Sequence, residues 1–204
     1  MFDRILRPFK DRVVHPLARL LGKRLSPNAI TLISTLIGLA AAAAVAYGRT
    51  GLGLLLWALN RLSDGLDGAV ARETDKTSDL GGYLDIMGDF LVYAAIPIAF
   101  ALQHYGDSVF PETALALFVL LGSFYVNAGS WMYLSAILEK RGVLGDGEIT
   151  SVTMPEGLIG GTETVLFFTL FFLLPNQLVL LFISMGVLTL FSAIQRIFWA
   201  LRKL

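Results

Sequence analysis

Residues 63–89 read SDGLDGAVARETDKTSDLGGYLDIMGD, and four aspartates, Asp64, Asp67, Asp85 and Asp89, stand inside two runs that are otherwise apolar enough to be membrane spans. On insertion scales a charge at the bilayer centre costs about 2.5–3.5 kcal/mol. Aspartates that persist there face a protein interior or a water-filled cavity, and they mark a functional site whose partner has to be identified.

The surrounding chain is that of a membrane protein. Of its 204 residues 55% are hydrophobic, and the mean hydropathy is +0.69, against an apolar share of roughly 45–50% in soluble domains. Six apolar stretches meet the requirement of about 20 residues per helical span: about 29–48, 51–72, 78–103, 111–138, 155–174 and 176–200. Backbone groups in lipid must be satisfied within a helix or a closed barrel, so the fold class is all-α and polytopic. Residues 1–25 differ: Ile5, Leu6, Phe9, Val13, Leu17 and Leu20 recur at helical spacing among seven Lys and Arg residues. That is the pattern of an amphipathic juxtamembrane helix, broken by Pro8 and Pro16, ahead of a six-helix domain over 26–204. It has no uninterrupted apolar core, so it does not read as a cleaved signal peptide, and the mature chain is expected to start at Met1. Ser26-Pro27-Asn28 supplies a helix cap and a turn before the first span.

Lys and Arg together number 16, as do Asp and Glu, so overall charge points to no partner and no nucleic-acid role is expected. The absence of cysteine excludes disulfides and thiolate metal sites. The placement of charge is more informative. Basic residues gather in the N-terminal segment, at Arg72 and Lys76, at Lys140 and Arg141, and at Arg202 and Lys203, whereas the opposite loops carry only Arg49. The positive-inside rule then puts both termini on the cytoplasmic side, and the expected location is a bacterial inner membrane. On that orientation Asp64 and Asp67 lie about 7–12 Å, and Asp85 and Asp89 about 10–16 Å, from the cytoplasmic end at ~1.5 Å per residue. Asp64, Asp67, Gly68, Ala71 and Arg72 share one helical face; Gly81, Asp85 and Asp89 share another. Two facing stripes make one pocket open to the cytosol.

Four carboxylates at one depth repel one another unless cations sit among them, and oxygen ligands without His or Cys suit Mg²⁺, Mn²⁺ or Ca²⁺. Gly68 and Gly81 clear space for a phosphate or nucleotide, and Arg72 offers a fork to phosphate oxygens. Alone, each of these has a plainer explanation: small residues on membrane helices serve packing, and an arginine at a membrane edge snorkels. The four aspartates do not, because a structural ion-pair network needs four basic partners and the spans supply only Arg61 and Arg196.

The spacing D-x2-D-G-x2-A-R-x8-G-x3-D-x3-D, matched at every fixed position, resembles the signature of the CDP-alcohol phosphotransferase (phosphatidyltransferase) family. The six-span layout is similar too, and the last three spans look like a less characterised bacterial branch. The resemblance implies a phospholipid-synthesising enzyme that moves a phosphoalcohol group from a CDP-linked donor, CDP-diacylglycerol first, to an alcohol acceptor with release of CMP. It also implies Mg²⁺ or Mn²⁺, as two ions, on Asp64, Asp67 and Asp85, with Asp89 the general base on or near the second ion. Gly68, Ala71, Arg72 and Gly81 would receive the CDP moiety, and a homodimer is the family's usual assembly.

For the acceptor, Glu163 is expected about 12 Å inside its span, level with the aspartates. Asn127 and Glu163 are the candidate pocket residues, and Asn60, four before Asp64, extends the metal stripe. No basic residue stands on spans three to five, which favours an uncharged or zwitterionic acceptor over a phosphorylated one. Two other functions remain in view: the reverse pairing of a CDP-linked polar alcohol with a lipid acceptor, and a divalent-cation channel lined by aspartates.

Overall fold

The computed structural model describes residues 25–105, 109–142 and 157–204. Within them lie six helices: α1 (Pro27–Ala46), α2 (Thr50–Glu73), α3 (Asp79–Gln103), α4 (Phe110–Lys140), α5 (Gly161–Leu173) and, after a 3₁₀ turn at Pro175–Gln177, α6 (Leu178–Lys203). No strand occurs among the described residues. The protein is an all-α polytopic membrane protein. The amphipathic helix expected over 1–25 and most of the loop expected over 139–154 lie outside the described residues.

Local chemistry explains three of the helix ends. Ser26 caps α1, its hydroxyl accepting from the Ala29 amide with Pro27 in the first turn, and Ser78 caps α3 in the same way through Gly81. Gly48, at φ +74°, takes the left-handed position that closes α1, and the Arg49 amide then returns to the Ala44 carbonyl at 2.8 Å.

Helices α1, α3, α4 and α6 are long and apolar enough to cross a membrane. α2 has the length, 24 residues, and carries the charged stripe. Five helices agree with the expected spans to within three residues. The fifth differs: α5 starts at Gly161 rather than near 155 and runs for 13 residues, short of the roughly 20 a span needs. Gly157, Gly160 and Gly161 stand where the helix was expected to begin, and glycine is about 0.8–1 kcal/mol poorer than alanine in a helix interior.

α1 packs closely along both α2 and α3, yet α2 and α3 scarcely approach each other as backbones. Glycine permits this arrangement. A Cβ on Gly38 would stand 2.5 Å from Val92 Cγ2, and one on Gly88 would stand 2.3 Å from Thr35 Oγ1, so both glycines let α3 lie directly on α1. Below the cleft left between α2 and α3, Trp57, Ile96, Phe100, Phe168, Phe171, Phe172 and Phe182 form a buried, largely aromatic core. Trp57 stacks on Phe168 at 5.1 Å and donates to Thr169 Oγ1 at 3.2 Å, tying α2 to α5. The outer faces present Leu32, Leu36, Leu55, Leu115, Phe118 and Leu166, the apolar surface that lipid solvates.

Candidate active site

The cleft between α2 and α3 holds all four aspartates. Asp67 is buried and both its oxygens are occupied: Oδ2 accepts from Thr31 Oγ1 of α1 at 2.6 Å, and Oδ1 from the Gly68 amide at 2.6 Å. Across the cleft Asp89 is fixed as fully, Oδ1 accepting from Arg61 Nη2 at 2.9 Å and Oδ2 from the Tyr93 hydroxyl at 3.2 Å. Arg61 Nη1 lies 3.5 Å from Asp64 Oδ2, so one guanidinium spans Asp64 on α2 and Asp89 on α3. Asp85 is close to the rest, within hydrogen-bonding reach of Asp64 and exposed to the charges of Asp67, Asp89 and Arg61.

The donor set suits a hard divalent cation: carboxylate oxygens from two facing helices, with no sulfur or imidazole among them. As the side chains stand, no three acidic or histidine groups among the described residues are gathered tightly enough to hold an ion, and Arg61 lies between two of the four carboxylates. Asp64, Asp67 and Asp85, the three expected to hold metal, stand on the two facing helices. Asp67 is already braced by Thr31, in the way an outer hydrogen bond orients a metal ligand.

The other residues of the signature lie on the same two helices, toward the turn that joins them. Gly68 is half-buried, and a Cβ there would meet only Arg72 Nη1, at 3.3 Å. Arg72 is exposed and folds back along its own helix, and Ala71 is half-buried beside it. Gly81 faces α1, where a Cβ would lie 3.0 Å from Asn28 Oδ1.

Glu163 and Asn127, the candidate acceptor residues, each have partners of their own. Glu163 sits in the first turn of α5, where Oε2 accepts from the Gly160 amide at 3.1 Å, because the helix starts later than expected. Asn127 Oδ1 accepts from Arg196 Nη1, and Ser130 Oγ lies 3.3 Å from the same nitrogen. Asn60 faces α1, donating to the Ser34 carbonyl at 2.8 Å, while its Oδ1 accepts from Arg61 Nε at 2.8 Å.

Thr31 and Tyr93 are residues beside the aspartates that the sequence reading passed over, and Arg61, counted there only as one of two basic residues in the spans, is a third. Arg61 and Tyr93 extend the two stripes by one turn, at i−3 from Asp64 and i+4 from Asp89, so the helical spacing already contained their signal. Thr31 comes from another helix, and no local spacing points to it.

A facing-helix carboxylate cluster carrying this signature defines a class, and comparison with known proteins agrees. The CDP-alcohol phosphatidyltransferase family model matches residues 24–195, and the chain belongs to that family. It is 39% identical to the inner membrane protein YnjF of Escherichia coli over 178 residues, 86% of this chain and 83% of that one. Its fold is that of Mycobacterium tuberculosis phosphatidylinositol phosphate synthase. The crystal structure with CDP-DAG bound matches with a TM-score of 0.72 and 22% identity over 92% of both chains. The complex with manganese and citrate gives 0.70 and 23%, covering 91% of this chain and 87% of that one.

Proposed function

We propose that this protein transfers the phosphatidyl group of CDP-diacylglycerol to the hydroxyl of a polar alcohol, releasing CMP, on the cytoplasmic side of an inner membrane. The observation that carries the reading is the cleft itself: Asp64 and Asp67 of α2 face Asp85 and Asp89 of α3, joined across the gap by Arg61. The CDP-DAG complex of the mycobacterial synthase supports a lipid donor, and its manganese complex supports a divalent metal. The placement of basic residues and the likeness to an inner membrane protein support the location. The homodimer follows from the family resemblance.

Asp64, Asp67 and Asp85 would hold Mg²⁺ or Mn²⁺, as two ions, whose chemistry is to neutralise the diphosphate and the departing CMP oxygen. The chain's own residues do the rest. Gly68 leaves room for the CDP moiety beside backbone, Gly81 instead lets Asn28 of α1 approach closely, and Arg72 contributes a charge at the mouth. The acceptor oxygen attacks the phosphorus that bears the diacylglycerol, the bond from that phosphorus to the CMP oxygen breaks, and Asp89 takes the hydroxyl proton. The Arg61 and Tyr93 hydrogen bonds hold both Asp89 oxygens in place for that step.

A specific observation favours an acceptor that carries a negative group. Arg196 is buried and its hydrogen-bond partners among the described residues, Asn127 and Ser130, are neutral, a setting on α6 that suits an anionic substrate. Both acceptor readings, and the reversed pairing of donor and acceptor, are separated by one experiment. Purified protein is given Mn²⁺ with CDP-diacylglycerol or a CDP-linked polar alcohol, against phosphorylated, zwitterionic and neutral acceptors, and CMP release is measured. CMP formation from CDP-diacylglycerol is the expected result; absence of CMP from every pairing overturns the reading. A cation channel predicts Mn²⁺ flux into proteoliposomes instead, and Arg61 among the aspartates puts a fixed positive charge in that path.

A further inference from the structure

Neither the family signature nor the transfer step uses Arg61 as a ligand or as a reactant, yet it is among the most constrained side chains of the site. Its guanidinium lies over the Trp57 ring at 4.7 Å and the Tyr93 ring at 5.3 Å, a cation between two aromatic faces. Nε is held by Asn60 Oδ1 at 2.8 Å, and Asn60 is itself locked to the Ser34 carbonyl of α1. Nη1 reaches the Tyr93 hydroxyl at 3.0 Å and Asp64, and Nη2 reaches Asp89. A fork so fully committed to protein groups is not free to clamp a substrate. It can hold Asp89 still, and it can add one positive charge to four negative ones.

We propose that Arg61 is a built-in cation of the carboxylate cluster, a positioning residue that keeps Asp89 aimed as the base and competes with divalent metal for Asp64 and Asp89. The proposal rests on the transferase reading above. A positive charge a few ångströms from metal-binding carboxylates opposes an incoming divalent ion, so its removal should tighten metal binding while slowing transfer. A residue that merely braced α2 against α3 would lose both together.

The test uses the full chain in detergent, with Mn²⁺ alone as the binding probe and CMP release as the readout of turnover. Arg61→Gln is expected to bind Mn²⁺ about tenfold more tightly than wild type and to turn over about tenfold more slowly or worse. Unchanged or weaker Mn²⁺ binding by the monodisperse variant overturns the proposal. Arg49→Gln makes the same change of net charge in the turn before α2, and is expected to leave Mn²⁺ binding unchanged; an equal gain there overturns the local explanation. Arg61→Lys keeps the charge but loses the fork, so it should bind Mn²⁺ as wild type does and still turn over slowly; full turnover removes the positioning role. Should Arg61→Gln fail to fold, Tyr93→Phe tests the positioning role from the other side. It frees one Asp89 oxygen with Arg61 in place, and should lower kcat severalfold at constant donor KM and constant Mn²⁺ affinity, whereas unchanged kcat counts against the proposal. The Mn²⁺ measurement needs no substrate. Absence of CMP release from wild type therefore counts against the transferase reading, and unchanged Mn²⁺ binding in Arg61→Gln counts against the role of Arg61.

Discussion

Asp67 and Asp89 are both held at two oxygens, but by partners that suit different work. Asp67 accepts from a hydroxyl and a backbone amide, neutral donors that orient a carboxylate without spending its charge. Thr31→Val removes the first of them and keeps the shape of the side chain. Loss of such an outer hydrogen bond lowers metal affinity by about 10–100-fold, so a Mn²⁺ titration should show at least the smaller figure, with helical content unchanged by circular dichroism. Asp89 is held by a cation and a phenol. Asp89→Asn keeps its size and removes its basicity, and should cut turnover by about 10²–10⁴-fold with binding of the CDP donor largely preserved. Near-normal turnover would remove Asp89 from the role of base. The aspartates were legible because their spacing on two helices is periodic and their charge is out of place in a membrane. Arg61 and Tyr93 continue the same periodicity, yet an arginine and a tyrosine have ordinary uses in a span, so their contribution becomes visible only when α2 and α3 are set face to face. Thr31 is 36 residues from Asp67 and is legible only in three dimensions.

At the scale of the helix, the glycines divide into two kinds. Gly38 and Gly88 sit where α1 and α3 touch, and Val92 has two methyl carbons within 3 Å of a Cβ at Gly38. Val92 is β-branched and buried, so it has little freedom to give way. Gly38→Ala should therefore cost about 1–3 kcal/mol by overpacking, visible as a lower thermal midpoint in detergent. Gly68 has only the end of a flexible arginine beside it. Gly68→Ala should melt as wild type does and raise the KM for the CDP donor, because the methyl group enters space the nucleotide needs. A lower midpoint for Gly68→Ala with unchanged KM would make it a packing glycine like the others. Helix ends were legible where a cap or a turn residue announces them, as at Ser26, Ser78 and Gly48. The start of α5 was not, because hydropathy integrates over a span-length window and registers the apolar run through Gly157, Gly160 and Gly161 without weighing what those glycines do to a helix. The displacement carries Glu163 from the expected middle of a span to the first turn of α5, where its carboxylate caps the Gly160 amide.

For the molecule as a whole, the open question is which side of the membrane the cleft faces. The charge pattern of the sequence predicts the cytoplasmic side: the turn between α2 and α3 holds Lys76, the C-terminal end holds Arg202 and Lys203, and the turn between α1 and α2 holds only Arg49. The helix order makes these assignments interdependent, since α2 joins the Arg49 turn to the Lys76 turn, and one labelled position sets the sense of the other. On the proposed function, a charged nucleotide donor would reach the aspartates from the end of α2 that carries Arg72, because the aromatic core around Trp57 and Phe168 lies toward the opposite end. The chain has no cysteine, so single cysteines report position without background. In intact cells a membrane-impermeant maleimide should label Arg49→Cys and spare Lys76→Cys and Leu204→Cys, and all three should react once the membrane is opened. Labelling of Lys76→Cys in intact cells, with Arg49→Cys protected, would turn the cleft outward and away from cytosolic nucleotide, and the positive-inside reading of this chain would be wrong.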